Sequence, residues 1–96
     1  MQPDDLISRI RQQQSVLYSM GVKSLELFGS VVRGEARPDS DIDFLVEFEG
    51  PASFDRYMDV KLYLEDLTAR RVDLVTRAAL KPRLRRGVEA EAVRVA

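Results

Sequence analysis

The stretch FGSVVRGEARPDSDIDFLVEF, residues 28–48, closes one apolar run on Gly29-Ser30 and opens the next with Asp41 and Asp43. Its second half alternates strictly. Ile42, Phe44, Val46 and Phe48 point one way and Asp41, Asp43, Leu45 and Glu47 the other, the period of a half-buried strand. Asp41 and Asp43 therefore share a face, about 7 Å apart along the strand. A carboxylate buried alone in a sheet is costly, and a like-charged neighbour adds to that cost unless something neutralises both. A divalent cation is the natural neutraliser. The chain has no histidine and no cysteine, so any metal must be held by oxygen, as Mg²⁺ is.

Upstream, VKSLELF (residues 22–28) alternates with Leu25 and Leu27 on one face and stops at Gly29, which predicts a strand. Ser30 then begins a short helical turn that Gly34 stops. Pro3-Asp4-Asp5 is a helix-start signal, and Leu6, Ile10 and Leu17, flanked by Ile7 and Met20, predict a single helix over about residues 4–20. Downstream, Gly50-Pro51 breaks the strand, Ser53 can cap a helix, and Phe54, Tyr57, Met58, Leu64 and Leu67 recur at helical spacing. RRVDLVT (residues 70–76) reads as a third strand. Val72 and Leu74 share one of its faces, and Asp73 lies on the other with Val75. From Pro82, Leu84, Val88 and Val95 predict a closing amphipathic helix, interrupted in composition by Gly87, with Arg83, Arg85 and Arg86 on its outer face.

The plain reading puts Asp39 and Asp41 in a polar turn after Pro38 with only Asp43 starting the strand, but three acids in two apolar strands form a consistent constellation: Asp41 and Asp43 are close enough to share one or two Mg²⁺ ions, and Asp73 can complete the oxygen shell. Glu47 lies one step further along and is expected in solvent. A calcium loop also begins D-x-D-x-D, as Asp39, Asp41 and Asp43 do, but Phe44 stands where glycine is required and Gly50 where the closing glutamate belongs. Gly29-Ser30, at a strand-to-helix turn, lets backbone N–H groups and a hydroxyl approach a phosphate. No Gly-Lys-Ser/Thr follows, so this is not a Walker loop. Arg33, one helical turn on, can reach the same phosphates or pair with one of the aspartates.

Composition bounds the alternatives. Ninety-six residues suit one small domain over 1–96, with 45% hydrophobic and 32% charged residues, the balance of an ordinary globular protein. No apolar run approaches the roughly 18–20 residues of a membrane span, and MQPDDLISRI carries acids where a secretory leader would be basic. A cytoplasmic protein without membrane contact is expected. Net charge is −1, yet residues 1–69 hold 7 basic and 13 acidic groups while residues 70–96 hold 8 and 3. Such a basic segment faces a polyphosphate, an acidic partner or water.

The run Gly29-Ser30, Arg33-Gly34, Ser40-Asp41-Ile42-Asp43, with a later Asp73 after Val72, resembles the signature of the minimal nucleotidyltransferases of the DNA polymerase beta-like superfamily. The resemblance covers essentially the whole chain. It implies the nucleotidyltransferase fold, an α/β arrangement of the α+β kind in which a small mixed sheet packs against about four helices, with a strand order that periodicity leaves open. It also implies attack at the α-phosphate of a nucleoside triphosphate, usually ATP, with release of pyrophosphate. By the same resemblance Gly29 and Ser30 hold the triphosphate, with Arg33 and Ser40 among the nucleotide-binding positions. Asp41 and Asp43 bind Mg²⁺, two ions in all, and Asp73 contributes to metal binding and to deprotonating the acceptor hydroxyl.

Larger members of the superfamily carry further domains for acceptor or template, for which 96 residues leave no room. The acceptor is then expected on another polypeptide. Proteins resembling this one are commonly paired with a small helical HEPN ribonuclease toxin, act as its antitoxin and transfer AMP to a tyrosine on it. The leading expectation is therefore an adenylyltransferase antitoxin, alone as a homo-oligomer or joined to its toxin. A second reading is a non-catalytic module that neutralises its partner by binding. A nucleic-acid module is argued against by the net charge and the scarcity of aromatic residues.

Overall fold

The computed structural model describes residues 3–37 and 39–96. A four-stranded sheet in the order β3-β2-β1-β4 is built from β1 (Val22–Phe28), β2 (Ile42–Phe48), β3 (Val72–Thr76) and β4 (Val93–Arg94). β2 runs antiparallel to β1 and parallel to β3, so the sheet is mixed, as expected. The helices are α1 (Pro3–Arg11), α2 (Gln14–Ser19), α3 (Phe54–Thr68) and α4 (Pro82–Glu91), with a 3₁₀ turn at Arg77–Ala79.

The alternation in β2 is obeyed. Ile42, Phe44 and Val46 are fully buried and join Leu6, Ile10, Leu17, Leu25, Leu27, Val60 and Leu64 in one core under the sheet. At roughly 25 cal/mol per Å² of apolar surface removed from water, a Phe or Leu in this layer contributes about 1.5–3 kcal/mol, which fixes the register of β2 and hence the face on which its acids emerge. Leu45 departs from the simplest picture: it lies on the acid face yet is 1% exposed, in register between Glu26 and Val75. On that face Arg77 draws in Glu26 at 2.8 Å and Glu89 of α4 at 2.6 Å.

α3 begins where Ser53 accepts the backbone N–H of Arg56 at 3.1 Å and ends at Ala69, whose φ of 56° is left-handed without being glycine. Its side chains also service the outer edge of the sheet. Glu65 accepts the N–H of Val72 at 3.0 Å, and the Tyr57 hydroxyl donates to the carbonyl of Leu74. An edge whose polar groups are taken in this way is a poor template for another strand.

Three expectations are corrected. The single helix over 4–20 is two helices, broken at Gln12-Gln13, where the N–H of Gln13 turns back to Ile10 at 2.9 Å. Ile10 and Leu17 remain buried across the break, so the apolar stripe conceals it, and Gln14 is freed to donate to the carbonyl of Val95 at 3.1 Å. The closing helix does not include Val95. α4 stops at Glu91, Ala92 is extended, and residues 93–96 add an edge strand to β1, with Val95 N–H on Leu25 C=O at 2.9 Å and Leu25 N–H on Ala96 C=O at 3.1 Å. Two β-branched valines favour that strand, and a two-residue ladder is too short to show alternation. Leu84, expected on the buried stripe of α4, is half exposed.

Candidate functional site

Asp43 and Asp73 are register partners on the parallel pair β2–β3, so their side chains leave the same face about 4.8 Å apart. Phe28 flanks Asp43 on the other side, from β1. The chain leaves β1 at Phe28 and turns at Gly29 with φ +80°, which brings the glycine against the Asp43 carboxylate. A β-carbon at position 29 would lie 2.1 Å from Asp43 Oδ2, so no other residue fits this turn without moving the acid. The turn is closed by backbone bonds from Arg33 N–H to Gly29 C=O at 3.2 Å and from Glu35 N–H to Ser30 C=O at 2.8 Å.

Electrostatics follow from this crowding. Burial pushes the Asp43 carboxyl up to about 6, the nearby charges of Asp73 and Asp41 push the same way, and Arg33 opposes them. A carboxyl made uncomfortable by neighbouring carboxylates is relieved by a cation. Asp43 and Asp73 thus fit as a pair of oxygen ligands for Mg²⁺. Asp41 stands just ahead of β2, exposed, and pairs with Arg71 at 3.2 Å. Among the described residues no three acidic side chains are gathered into a metal cage. Asp41 would join the other two by leaving a solvent-exposed ion pair, a change of about 1 kcal/mol or less.

The remaining expected residues are placed as follows. Ser30 lies in the turn after Gly29, partly buried. Arg33 is exposed and bonded to Glu35 at 3.0 Å and to Glu91 at 3.1 and 3.2 Å, so its cationic form is held even more firmly than usual. The protein partners of Arg33 are thus two glutamates rather than the aspartate foreseen as one alternative. Ser40 turns its hydroxyl toward the loop, accepting the N–H of Arg37 at 2.9 Å. Glu47, expected in solvent, is ion-paired to Lys23 at 3.8 Å and to Arg77 at 3.6 Å.

Sequence reasoning missed four neighbours of this site. Arg70 donates to the carbonyls of Arg37 and Ser40 at 2.6 and 2.5 Å, pinning the loop that leads into Asp41. Arg71 holds Asp41 itself. The pair Arg70-Arg71, directly before the strand that carries Asp73, was the available signal. Tyr57 places its phenol close enough to Asp73 for burial and that charge to raise its pKa. Glu91 comes from the far end of the chain, and nothing in the helical period of α4 marks it.

The family model for the nucleotidyltransferase domain matches residues 7–95. The chain belongs to the nucleotidyltransferase domain family. Among its relatives, the protein adenylyltransferase MntA of Thermococcus cleftensis is 45% identical over 75 residues, which cover 78% of this chain and 76% of that protein. A solved structure described as a minimal nucleotidyltransferase superposes with a TM-score of 0.84 at 42% identity, covering 97% of this chain and 95% of the other. The fold, without close sequence likeness, is shared with the complex of a tri-AMPylated Shewanella oneidensis HEPN toxin and its MNT antitoxin, at a TM-score of 0.68 and 17% identity, over 95% of this chain and 71% of that one. The nucleotidyltransferase fold and the enzyme class, an adenylyltransferase, therefore stand as expected.

Proposed function

We propose that the chain is a single nucleotidyltransferase domain over residues 1–96 that moves AMP from ATP to a hydroxyl, a tyrosine, on a cytoplasmic partner protein. The partner is a HEPN ribonuclease toxin, and the modification makes this protein its antitoxin. The observation that carries the reading is the Asp43–Asp73 pair on adjacent strands with the Gly29 turn pressed against it. The names of the relatives support the acceptor being a protein, and the toxin complex of the same fold supports its class.

In this reading the Gly29-Ser30 turn receives the triphosphate through the backbone N–H and hydroxyl of Ser30, the N–H of Gly29 being taken by Glu91, while Arg33 and Ser40 lie along the same path. Asp41, Asp43 and Asp73 would hold Mg²⁺, which when bound would supply charge neutralisation on the phosphate oxygens. Asp73, the most exposed member of the strand pair, accepts the proton of the acceptor hydroxyl. The hydroxyl oxygen forms its bond to the α-phosphorus as the bond to the bridging oxygen of the β-phosphate breaks. Pyrophosphate leaves with that electron pair. Asp43, in the ladder, serves as ligand only.

The test is transfer of label from α-³²P-ATP in Mg²⁺ to a purified HEPN toxin co-expressed with this chain, beside Asp41→Asn/Asp43→Asn. A labelled toxin tyrosine that depends on both acids is the expected result. Full protection of cells from the toxin by the double variant would instead favour neutralisation by contact.

A further inference from the structure

Glu91 lies outside the motif, at the end of α4, yet it joins two of the motif's parts. Its Oε1 accepts the backbone N–H of Gly29 at 3.1 Å and Nη1 of Arg33 at 3.1 Å, and its Oε2 lies 3.2 Å from the same Nη1. Glu35 takes Nε of Arg33 at 3.0 Å. With Nε and Nη1 engaged, the plane of the guanidinium is fixed, and among the described residues no bond is made by Nη2. The two carboxylates are not equivalent, since the Glu91 side chain is 28% exposed and that of Glu35 is 64% exposed. Screening by water weakens the second far more than the first.

Gly29 is thereby held from both sides. Its N–H is tied to Glu91 while its α-carbon abuts Asp43. One carboxylate sets the position of the turn against the acid pair and the direction of the nearest cation at once. We propose that Glu91 is a positioning residue that presents the Gly29-Ser30 turn and Arg33 to the β- and γ-phosphates of ATP. This rests on the nucleotide-binding reading given above. Simple charge counting predicts the reverse, because deleting a negative charge beside a phosphate site should tighten anion binding. The sign of the effect therefore separates positioning from mere repulsion, and its dependence on the phosphate chain separates it from a general loss of structure.

Calorimetric titrations with ATP and with AMP, in Mg²⁺, would compare wild type, Glu91→Gln, Arg33→Ala and the double variant. Glu91→Gln is expected to weaken ATP roughly tenfold and AMP less than about twofold, and to cost less than that tenfold once Arg33 is alanine, because only the tie to Gly29 is then left to lose. If Glu91→Gln melts below the assay temperature, Glu91→Asp, which keeps the charge and shortens the reach, is measured in its place with the same expected pattern. ATP bound as tightly as by wild type, or more tightly, would overturn the proposal, as would equal losses for ATP and AMP. Wild type that binds no ATP would remove the nucleotide reading itself, and the role of Glu91 with it.

Discussion

The α-carbon of Gly29 and the carboxylate of Asp43 are packed so closely that a methyl group on the former would lie 2.1 Å from an oxygen of the latter. The turn expected to receive phosphate and the acid expected to hold the metal are thus a single packed unit, although 14 positions separate them in the chain. Gly29→Ala should suffer twice, from a φ of +80° and from displacement of Asp43. We expect a loss of roughly 1–3 kcal/mol in urea denaturation and no detectable AMP transfer. Near-wild-type transfer by this variant would separate the turn from the site.

The raised carboxyl of Asp43 gives a pH dependence with a definite sign. Its value in the folded chain is about 6, against an ordinary 3.8, so the native state binds this proton more tightly than the unfolded chain. The destabilisation is absent below pH 3.8, grows as pH rises between 3.8 and about 6, and is complete above that. In chelator, Asp43→Asn should therefore be more stable than wild type at pH 7.5, by about 1–2 kcal/mol once partial exposure is allowed for, and equal to it near pH 4. Thermal melts at the two pH values check this. A variant less stable than wild type at pH 7.5 would contradict it.

Magnesium should replace that penalty with a gain. Ligand that binds only the native state raises Tm with concentration, so wild type at pH 7.5 should melt several degrees higher in 10 mM Mg²⁺, ~1 kcal/mol or more. The gain should shrink below pH 6 as protons compete for Asp43. Asp43→Asn should show little of it. An equal rise in both proteins would mark a nonspecific salt effect.

Ala69 ends α3 with a left-handed φ of 56°. Glycine reaches this conformation without steric cost, so Ala69→Gly should stabilise the chain by about 0.5–1 kcal/mol despite removing a methyl group. Chemical denaturation gives the answer directly, and a destabilised variant would show that the exposed methyl makes contacts that outweigh the strain.

The parallel strands β2 and β3 and their facing were legible because burial of Ile42, Phe44, Val46, Val72 and Leu74 imposes the period of two that marks a strand. That Asp43 and Asp73 each lie opposite the buried residues of their strand was legible as the complement of that pattern, whereas their meeting across β2 and β3 was not, because periodicity leaves strand order open. What escaped was set by contacts between distant residues. The break at Gln12-Gln13 preserves the apolar stripe, and residues 93–96 become a strand only because β1 offers a free edge. Arg70, Tyr57 and Glu91 likewise owe their places to where α3, β3 and α4 dock, which local period does not encode.

Asp43 and Asp41 differ in how they are anchored: the first is stitched into the central strand with neighbours on both sides, and the second precedes it on a single exposed ion pair. Amide exchange should accordingly be slow along β2 and fast at residue 41. In the metal site proposed above, the strand-borne ligands Asp43 and Asp73 would be joined by one movable ligand, Asp41, so that an ion could load and leave without opening the fold. Arg71, which competes for that side chain, would then act as a brake on metal loading whose strength falls with ionic strength.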